Sequence, residues 1–370
     1  MCKSLIARLS ISFLTAFIAL CMSSCLSPEL ARAPLPPAII EALSEKARPA
    51  SDYGLRFDRR GHALRTTPLH EENSELNLSL PMLSDRLDRI GHILINVRIN
   101  GEKALALVDT GSPFSIASYR LARAAKLVPI KSENDGDSET GGLHLLPLAG
   151  LGGTATQIAA VAPEIRLGGE VIESIPVMIL NRRAGLGSME WIGINRVDMI
   201  LGNDFLSLFR RAVFDHENDV LILSNRRGED FESASEADCV ALFRTKPIPI
   251  ALGSVADNPP VPVAIDTGSD SGLWVPARLS RRLELLDYGL GPGQSYGRGF
   301  GGKTVYRDIA PHALSFDNLT IRNIPVTVEL VPQTEKGPGF VLLGQKALRR
   351  FKVTIDYVDA RLSLERIEKD

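Results

Sequence analysis

The sequence predicts a mainly β protein of two similar lobes, each with a short helix after one key loop. Two observations carry that expectation. Strand-type alternation begins near residue 77, and a series of landmarks in the first half of the 370-residue chain returns in the same order in the second half.

Alternation is clearest where Ile93, Ile95, Val97 and Ile99 share one face and Leu94, Asn96, Arg98 and Asn100 the other. Asn100-Gly101 then supplies a hairpin turn, because both positions of such a turn need positive φ, and Lys103 to Val108 reads as the returning strand. The first lobe is placed at residues 77–225, a polar linker at 226–238 and the second lobe at 239–370, where β patterning resumes at Cys239.

The repeat has five landmarks. Val108-Asp109-Thr110-Gly111-Ser112 matches Ile265-Asp266-Thr267-Gly268-Ser269. Gly150-Leu151-Gly152-Gly153 matches Gly299-Phe300-Gly301-Gly302, and Ile175-Pro176-Val177 matches Ile324-Pro325-Val326. Ile200-Leu201-Gly202 matches Leu342-Leu343-Gly344, and Val213-Phe214-Asp215 matches Thr354-Ile355-Asp356. The offset falls from 157 to 149, 142 and 141 along the series, as loop insertions between fixed elements of a duplicated lobe would make it fall. A short helix is expected after each Asp-Thr-Gly, with Ser118 as N-cap before Tyr119 to Lys126 and Pro276 in the first turn of Ala277 to Leu286.

The chain ahead of the lobes differs. Lys3 and Arg8 precede an apolar run from Ile11 to Met22 that ends in Ser23, Ser24 and Cys25, the charged, apolar, small-residue order of an export signal. The run is shorter than the roughly 20 residues a membrane-spanning helix needs. Residues 1–24 are therefore expected to be a signal peptide. Residues 25–76, rich in proline and charge, read as a flexible tether or a propeptide, with a short helix around Ala38 to Lys46.

Composition excludes several classes. The 42 basic and 44 acidic residues are intermixed and give a net charge of -2, so no basic footprint for nucleic acid exists. Three of the four cysteines, Cys2, Cys21 and Cys25, lie in the signal region, so Cys239 has no partner for a disulfide and reads as a small core residue. His62, His70, His92, His144, His216 and His312 lack ligand spacing, so no metal and no cofactor is expected. Asp-Ser-Gly at 270–272 overlaps the second Asp-Thr-Gly and has no positioned histidine, against a serine nucleophile. The glycines from Gly291 to Gly302 are not followed by Gly-Lys-Ser/Thr, against a phosphate loop. Trp191 and Trp274 read first as core residues and second as pocket walls.

The doubled Asp-Thr-Gly, each copy after an apolar strand and each trailed by an apolar-apolar-Gly segment, resembles the pepsin and retropepsin superfamily of aspartic peptidases. The likeness runs over roughly residues 77 to 367. It implies two acid-protease-type β-barrel lobes related by a pseudo-twofold axis, in a bacterial single-chain form that is active as a monomer. It also implies that Asp109 and Asp266 are a catalytic dyad sharing one proton, since two adjoining carboxylates do not both ionise. Thr110 and Thr267 resemble the threonines that lock the two loops together, and Gly111 and Gly268 those that let backbone approach the carboxyls. Ser112 and Ser269 are expected to donate hydroxyl hydrogen bonds to the carboxylates. Gly150, Gly152 and Gly153, and Gly299, Gly301 and Gly302, fall where the family carries flaps over the substrate, and their repetition implies two flaps. After the Gly202 and Gly344 landmarks the family places Arg, Asn or Asp. Here Asn203 conforms and Gln345 departs, which puts in question how the second loop is braced.

Met22-Ser23-Ser24-Cys25 resembles a bacterial lipobox, which implies lipidation at Cys25 and anchoring to a membrane of the cell envelope. The expected function is hydrolysis of polypeptide substrates there by an aspartic endopeptidase. The alternative is a non-catalytic lipoprotein that uses the same cleft to bind peptides or proteins.

Overall fold

The computed structural model describes residues 35–58, 61–83, 92–132, 142–150, 153–180, 197–227, 239–244, 247–285, 295–299, 302–330 and 339–367. Cys25, Trp191 and the signal region lie outside them.

In chain order the segment ahead of the lobes forms α1 (Pro37–Ser44), a 3-10 turn (Ala50–Tyr53), β1 (Leu55–Phe57), β2 (Ala63–Arg65) and α2 (Leu69–Glu72). The first lobe contributes β3 (Asn77–Pro81), β4 (Leu94–Ile99), β5 (Glu102–Val108), β6 (Ile116–Ala117), α3 (Tyr119–Ala124) and β7 (Val128–Pro129). It continues with β8 (Leu145–Gly150), β9 (Gly153–Leu167), β10 (Glu170–Leu180), β11 (Met199–Leu201), α4 (Asn203–Leu206), β12 (Arg211–Asp215) and β13 (Val220–Ser224). The second lobe has β14 (Cys239–Ala241), β15 (Ile250–Val255), β16 (Val261–Ile265), β17 (Leu273–Val275), α5 (Ala277–Arg282) and β18 (Ser295–Gly299). It ends with β19 (Gly302–Ser315), β20 (Thr320–Glu329), β21 (Val341–Leu343), α6 (Gln345–Leu348), β22 (Phe351–Asp356) and β23 (Arg361–Arg366).

Each lobe closes on itself. In the first, β10, β6, β11, β5, β4 and β9 follow one another and β9 returns to β10; in the second, β15, β16, β21, β17, β20 and β19 do so and β19 returns to β15. Closure removes the unpaired edges that an open sheet would leave. The same parallel pairing recurs at the heart of both, Leu201 beside Val108 and Leu343 beside Ile265. The protein is therefore mainly β with two closed barrels of the acid-protease type, as the repeat predicted.

Local chemistry explains the elements. Ile93, Ile95, Val97 and Ile99 are all buried, while Asn96 and Arg98 are exposed. Asn100 and Gly101 both have positive φ, as the turn requires, and Asn100 also ties neighbouring chain together through Nδ2 to Ala125 O (2.6 Å). Ser118 caps α3 by accepting from Leu121 N. Pro276 stands at the N-cap rather than in the first turn of α5, and the Glu329 carboxylate accepts from Ala277 N there (3.1 Å). Trp274 is buried with Ile248, Ile250, Ala264 and Leu342, and Cys239 opens β14, half-buried.

A third, six-stranded sheet is shared by the halves, in the order β14, β23, β22, β12, β13, β3. Its seam is the antiparallel pair β12–β22, with Arg211 opposite Asp356. Arg211 Nε donates to Asp356 Oδ2 (2.8 Å), and both side chains are buried. Continuing the same register sets Lys352 opposite Asp215, the repeat counterparts of Arg211 and Asp356. Burial raises the Asp215 pKa, but hydrogen bonds from Asn218 and Glu217 and the charge of Lys352 outweigh it, and the net shift is downward.

Residues 35–76 are not the flexible tether their composition suggested. Leu35, Ala47 and Leu69 enter the main core, Ala50 and Leu55 a second cluster with Ile116, Ile130 and Met178, and Arg48 N donates to Pro129 O (2.9 Å). Sparse but well-placed apolar residues suffice when a barrel already supplies the surface to cover.

The seam ion pair gives a stability prediction. Asp356→Ala takes the carboxylate away from buried Arg211 and is expected to cost about 3 kcal/mol or more in urea unfolding; a loss under about 1 kcal/mol would put the pair in the class of exposed ones.

Candidate active site

β5 and β16 end side by side at the two Asp-Thr-Gly loops. Each loop is hung from its back strand in the same way: Asp109 N donates to Leu201 O (3.0 Å) and Asp266 N to Leu343 O (2.9 Å). Asn203 N to Ser112 O (2.7 Å) and Gln345 N to Ser269 O (2.8 Å) close the far end of each loop.

The two loops are then locked to each other. Thr110 N donates to Thr267 Oγ1 and Thr267 N to Thr110 Oγ1, both at 3.0 Å. Each hydroxyl passes its own proton on across the interface, Thr110 Oγ1 to Ile265 O (2.7 Å) and Thr267 Oγ1 to Val108 O (2.8 Å). Both threonines are fully buried, so all four bonds form away from water.

This lock brings Asp109 and Asp266 together, and their carboxyls hydrogen-bond to each other. Each carboxyl lies over the other lobe's glycine, where a Cβ on Gly111 would collide with Asp266 and one on Gly268 with Asp109. Gly111 N and Gly268 N each donate to their own aspartate Oδ1 at 2.9 Å, and Ser112 N adds a bond of 3.0 Å to Asp109. The serine hydroxyls do not take the expected role. Ser112 Oγ donates to Phe114 O (2.7 Å), and Ser269 Oγ pairs with Ser271 Oγ (2.7 Å), so backbone amides alone perform the task assigned to the hydroxyls.

Burial raises the pKa of both carboxyls, and Asp266 is raised well above the ordinary value because the charge of Asp109 and the hydrogen bond to it add to burial. For Asp109 the same hydrogen bond, the amides of Ser112 and Gly111 and the charge of His92 work the other way. The pair thus favours holding one proton between the two carboxyls.

His92 and Asp204 are two residues that the sequence reading did not single out as part of this site. The β4–β5 ladder, with Leu94 opposite Leu107 and Val108 N bonded to Ile93 O, sets buried His92 across from Asp109 at its next step. The Asn100-Gly101 turn fixes that register, so counting outward from it would have found His92. The counterpart on the other lobe is Ile248, since Ile265 N bonds to Pro249 O. Asp204 Oδ1 accepts from Ser115 Oγ (2.7 Å) and Phe205 N (2.8 Å), and burial pushes its pKa up to about 6 against those bonds. Gln345, the departure from the family pattern, braces the second loop by donating Nε2 to Thr267 O (3.1 Å), whereas Asn203 Nδ2 donates to Pro247 O (2.7 Å).

β8 and β9 form a hairpin whose last described pair is Gly150 and Gly153, and β18 and β19 one whose last pair is Gly299 and Gly302. Gly152 and Gly301, between those pairs, lie outside the described residues. Among the described residues no three His, Cys, Asp or Glu side chains gather as a metal site would require.

Residues 95–205, which include the Asp109 loop and its back strand, match the family model described as aspartyl protease. No curated protein matches the chain.

Two tests follow from this geometry. Thr110→Val removes a donor and an acceptor in a buried lock and is expected to cost about 2 to 4 kcal/mol, read by denaturant unfolding. A carboxyl whose pKa is higher folded than unfolded binds its proton more tightly in the folded state, so it costs stability as pH rises past the unfolded value near 3.8. Asp266→Asn should therefore melt above the parent at pH 7, with the gap closing toward pH 3; equal melting temperatures across that range would contradict the upward shift.

Proposed function

We propose, from the premise that this chain is a protease of the aspartyl protease, retropepsin-like family, that it is an aspartic endopeptidase whose Asp109 and Asp266 activate a water against a peptide carbonyl. The carboxyl pair carries this reading: two adjoining buried acids that hold one proton between them, on loops fixed by the threonine lock, are what general acid–base hydrolysis needs.

In the proposed reaction, Asp109, ionised and held by two amides, takes a proton from water as its oxygen attacks the scissile carbon. Asp266 gives its proton to the carbonyl oxygen, yielding a tetrahedral diol. Collapse of the diol breaks the C–N bond, the amine leaves with a proton from Asp109, and Asp266 recovers its own from a hydroxyl of the diol. Both lobes are in one chain, so a monomer holds the complete pair. The binding-protein alternative has less support, because it leaves the paired carboxyls without a task.

We also propose that the enzyme acts in the bacterial cell envelope, exported and held at the membrane through lipidated Cys25. The charged, apolar, Ser-Ser-Cys order of the leading residues supports this. Among the described residues no helix is long and apolar enough to cross a membrane.

Asp109→Asn and Asp266→Asn are each expected to lower cleavage of an unfolded polypeptide at least 1,000-fold (on the order of a lost catalytic group); retained turnover in either would falsify the dyad. Activity needs Asp109 ionised and Asp266 protonated. Both pKa values are raised, so the acid limb of the pH profile should stand above the ordinary carboxylate range and the alkaline limb higher still. Because His92 draws the Asp109 pKa down, His92→Gln should move the acid limb to higher pH, and an unmoved limb would remove His92 from the mechanism. For the anchor, Cys25→Ser should abolish fatty-acid labelling and release the protein from membranes.

A further inference from the structure

The segment ahead of the lobes does more than cover core. Its β1–β2 hairpin reaches both the loop after Asp109 and the residue just ahead of β8. The His62 ring packs on Phe114, five residues after Asp109, with centroids 4.3 Å apart. On the flap side, the Phe57 ring stacks on His144 at 4.3 Å, and His144 Nε2 donates to Gly61 O (2.7 Å). His62 is itself held by Asp58, through its amide (2.9 Å) and Nδ1 (3.1 Å). Ala63, Phe114, Leu146, Met178 and Asp204 line a small cavity beneath the hairpin.

The second lobe has no such cover among the described residues. Repeat counterparts show the contrast directly: Ala159 and Met178 lie opposite each other in the first barrel and are 2% and 5% exposed. Their counterparts Asp308 and Thr327 also lie opposite each other, yet Asp308 is exposed and Thr327 half-buried, with Thr327 Oγ1 donating to Asp308 Oδ1 (2.6 Å). In the first catalytic loop, Phe114 is half-buried against the hairpin.

We infer that the β1–β2 hairpin is a permanent wall of the substrate cleft, retained in the working enzyme, and that it makes the first-lobe end select an apolar side chain while the second-lobe end stays open and polar. This rests on the peptidase reading above. The physical reason is steric and apolar: Phe114, Ala63 and Leu146 present hydrocarbon, and the hairpin closes the space that the other lobe leaves to solvent. A polar side chain entering there would lose its hydration with only the Asp204 carboxyl to replace it.

The full chain tests this in two ways. Limited trypsin digestion needs no activity: Arg48, Arg56 and Arg65 should resist cleavage as long as the barrels stay folded, and release of residues 35–76 from an otherwise folded protein would overturn the wall. Peptide-library profiling with the parent should give an apolar preference at one position on the first-lobe side. Ala63→Leu, which fills the cavity, should change that preference by about tenfold; Phe57→Ala, which loosens the hairpin, should relax it in the same position. An intact-mass measurement showing that the active species lacks residues 35–76, or an Ala63→Leu profile identical to the parent's, refutes the proposal. Absence of cleavage by the parent, matched by its Asp109→Asn control, refutes the peptidase reading instead, and the digestion result then still stands on its own.

Discussion

The reciprocal bonds between Thr110 and Thr267 are the constraint on which the rest of the structure depends. Two carboxyls repel when both are charged, and neither lobe has reason by itself to present one to the other. Four buried hydrogen bonds across the interface supply that reason, because separating the loops would leave amides and hydroxyls unpaired away from water. Glycine at 111 and 268 completes the approach, since only a missing Cβ leaves room for the opposite carboxyl. The shared six-stranded sheet holds the lobes together at a second place, with charged pairs set by the same twofold register.

Within this symmetric frame the residues that differ between lobes give each half its character. His92 stands where the other lobe has Ile248, so one lobe brings to Asp109 a charge that draws its pKa down where the other lobe brings an apolar side chain. Gln345 stands where the other lobe has Asn203, and its extra methylene lets it reach inward to Thr267 O instead of outward across the lobe interface. The β1–β2 hairpin has one barrel to lean on and not the other. The repeat thus provides the geometry, and the residues that differ between the lobes make the two halves unlike.

The price of this arrangement is stability at neutral pH. Both carboxyls bind protons more tightly in the folded state than outside it, so the site resists ionisation that the solvent favours. The barrels, closed without free edges and cored by Val, Ile and Leu, carry that strain.

Much was legible in the sequence because short-range chemistry and repetition dictate it. Alternation marked the strands, Asn100-Gly101 fixed a turn and hence a register, and the doubled Asp-Thr-Gly with its trailing apolar-apolar-Gly segment marked both loops and both back strands. What lay beyond reach depended on which surfaces meet. Proline and charge made residues 35–76 look like a tether, yet a handful of apolar side chains docks them, because the barrel wall they cover is assembled from strands far apart in the chain. Ser112 and Ser269 looked like carboxylate donors, but the loop path turns their hydroxyls toward Phe114 O and Ser271 Oγ and leaves that task to the amides. The sequence by itself determined two barrels and two aspartates; only the tertiary structure decided that those aspartates meet and bind a proton more tightly than ordinary carboxyls, because proton affinity is set by burial and by charges brought near through folding.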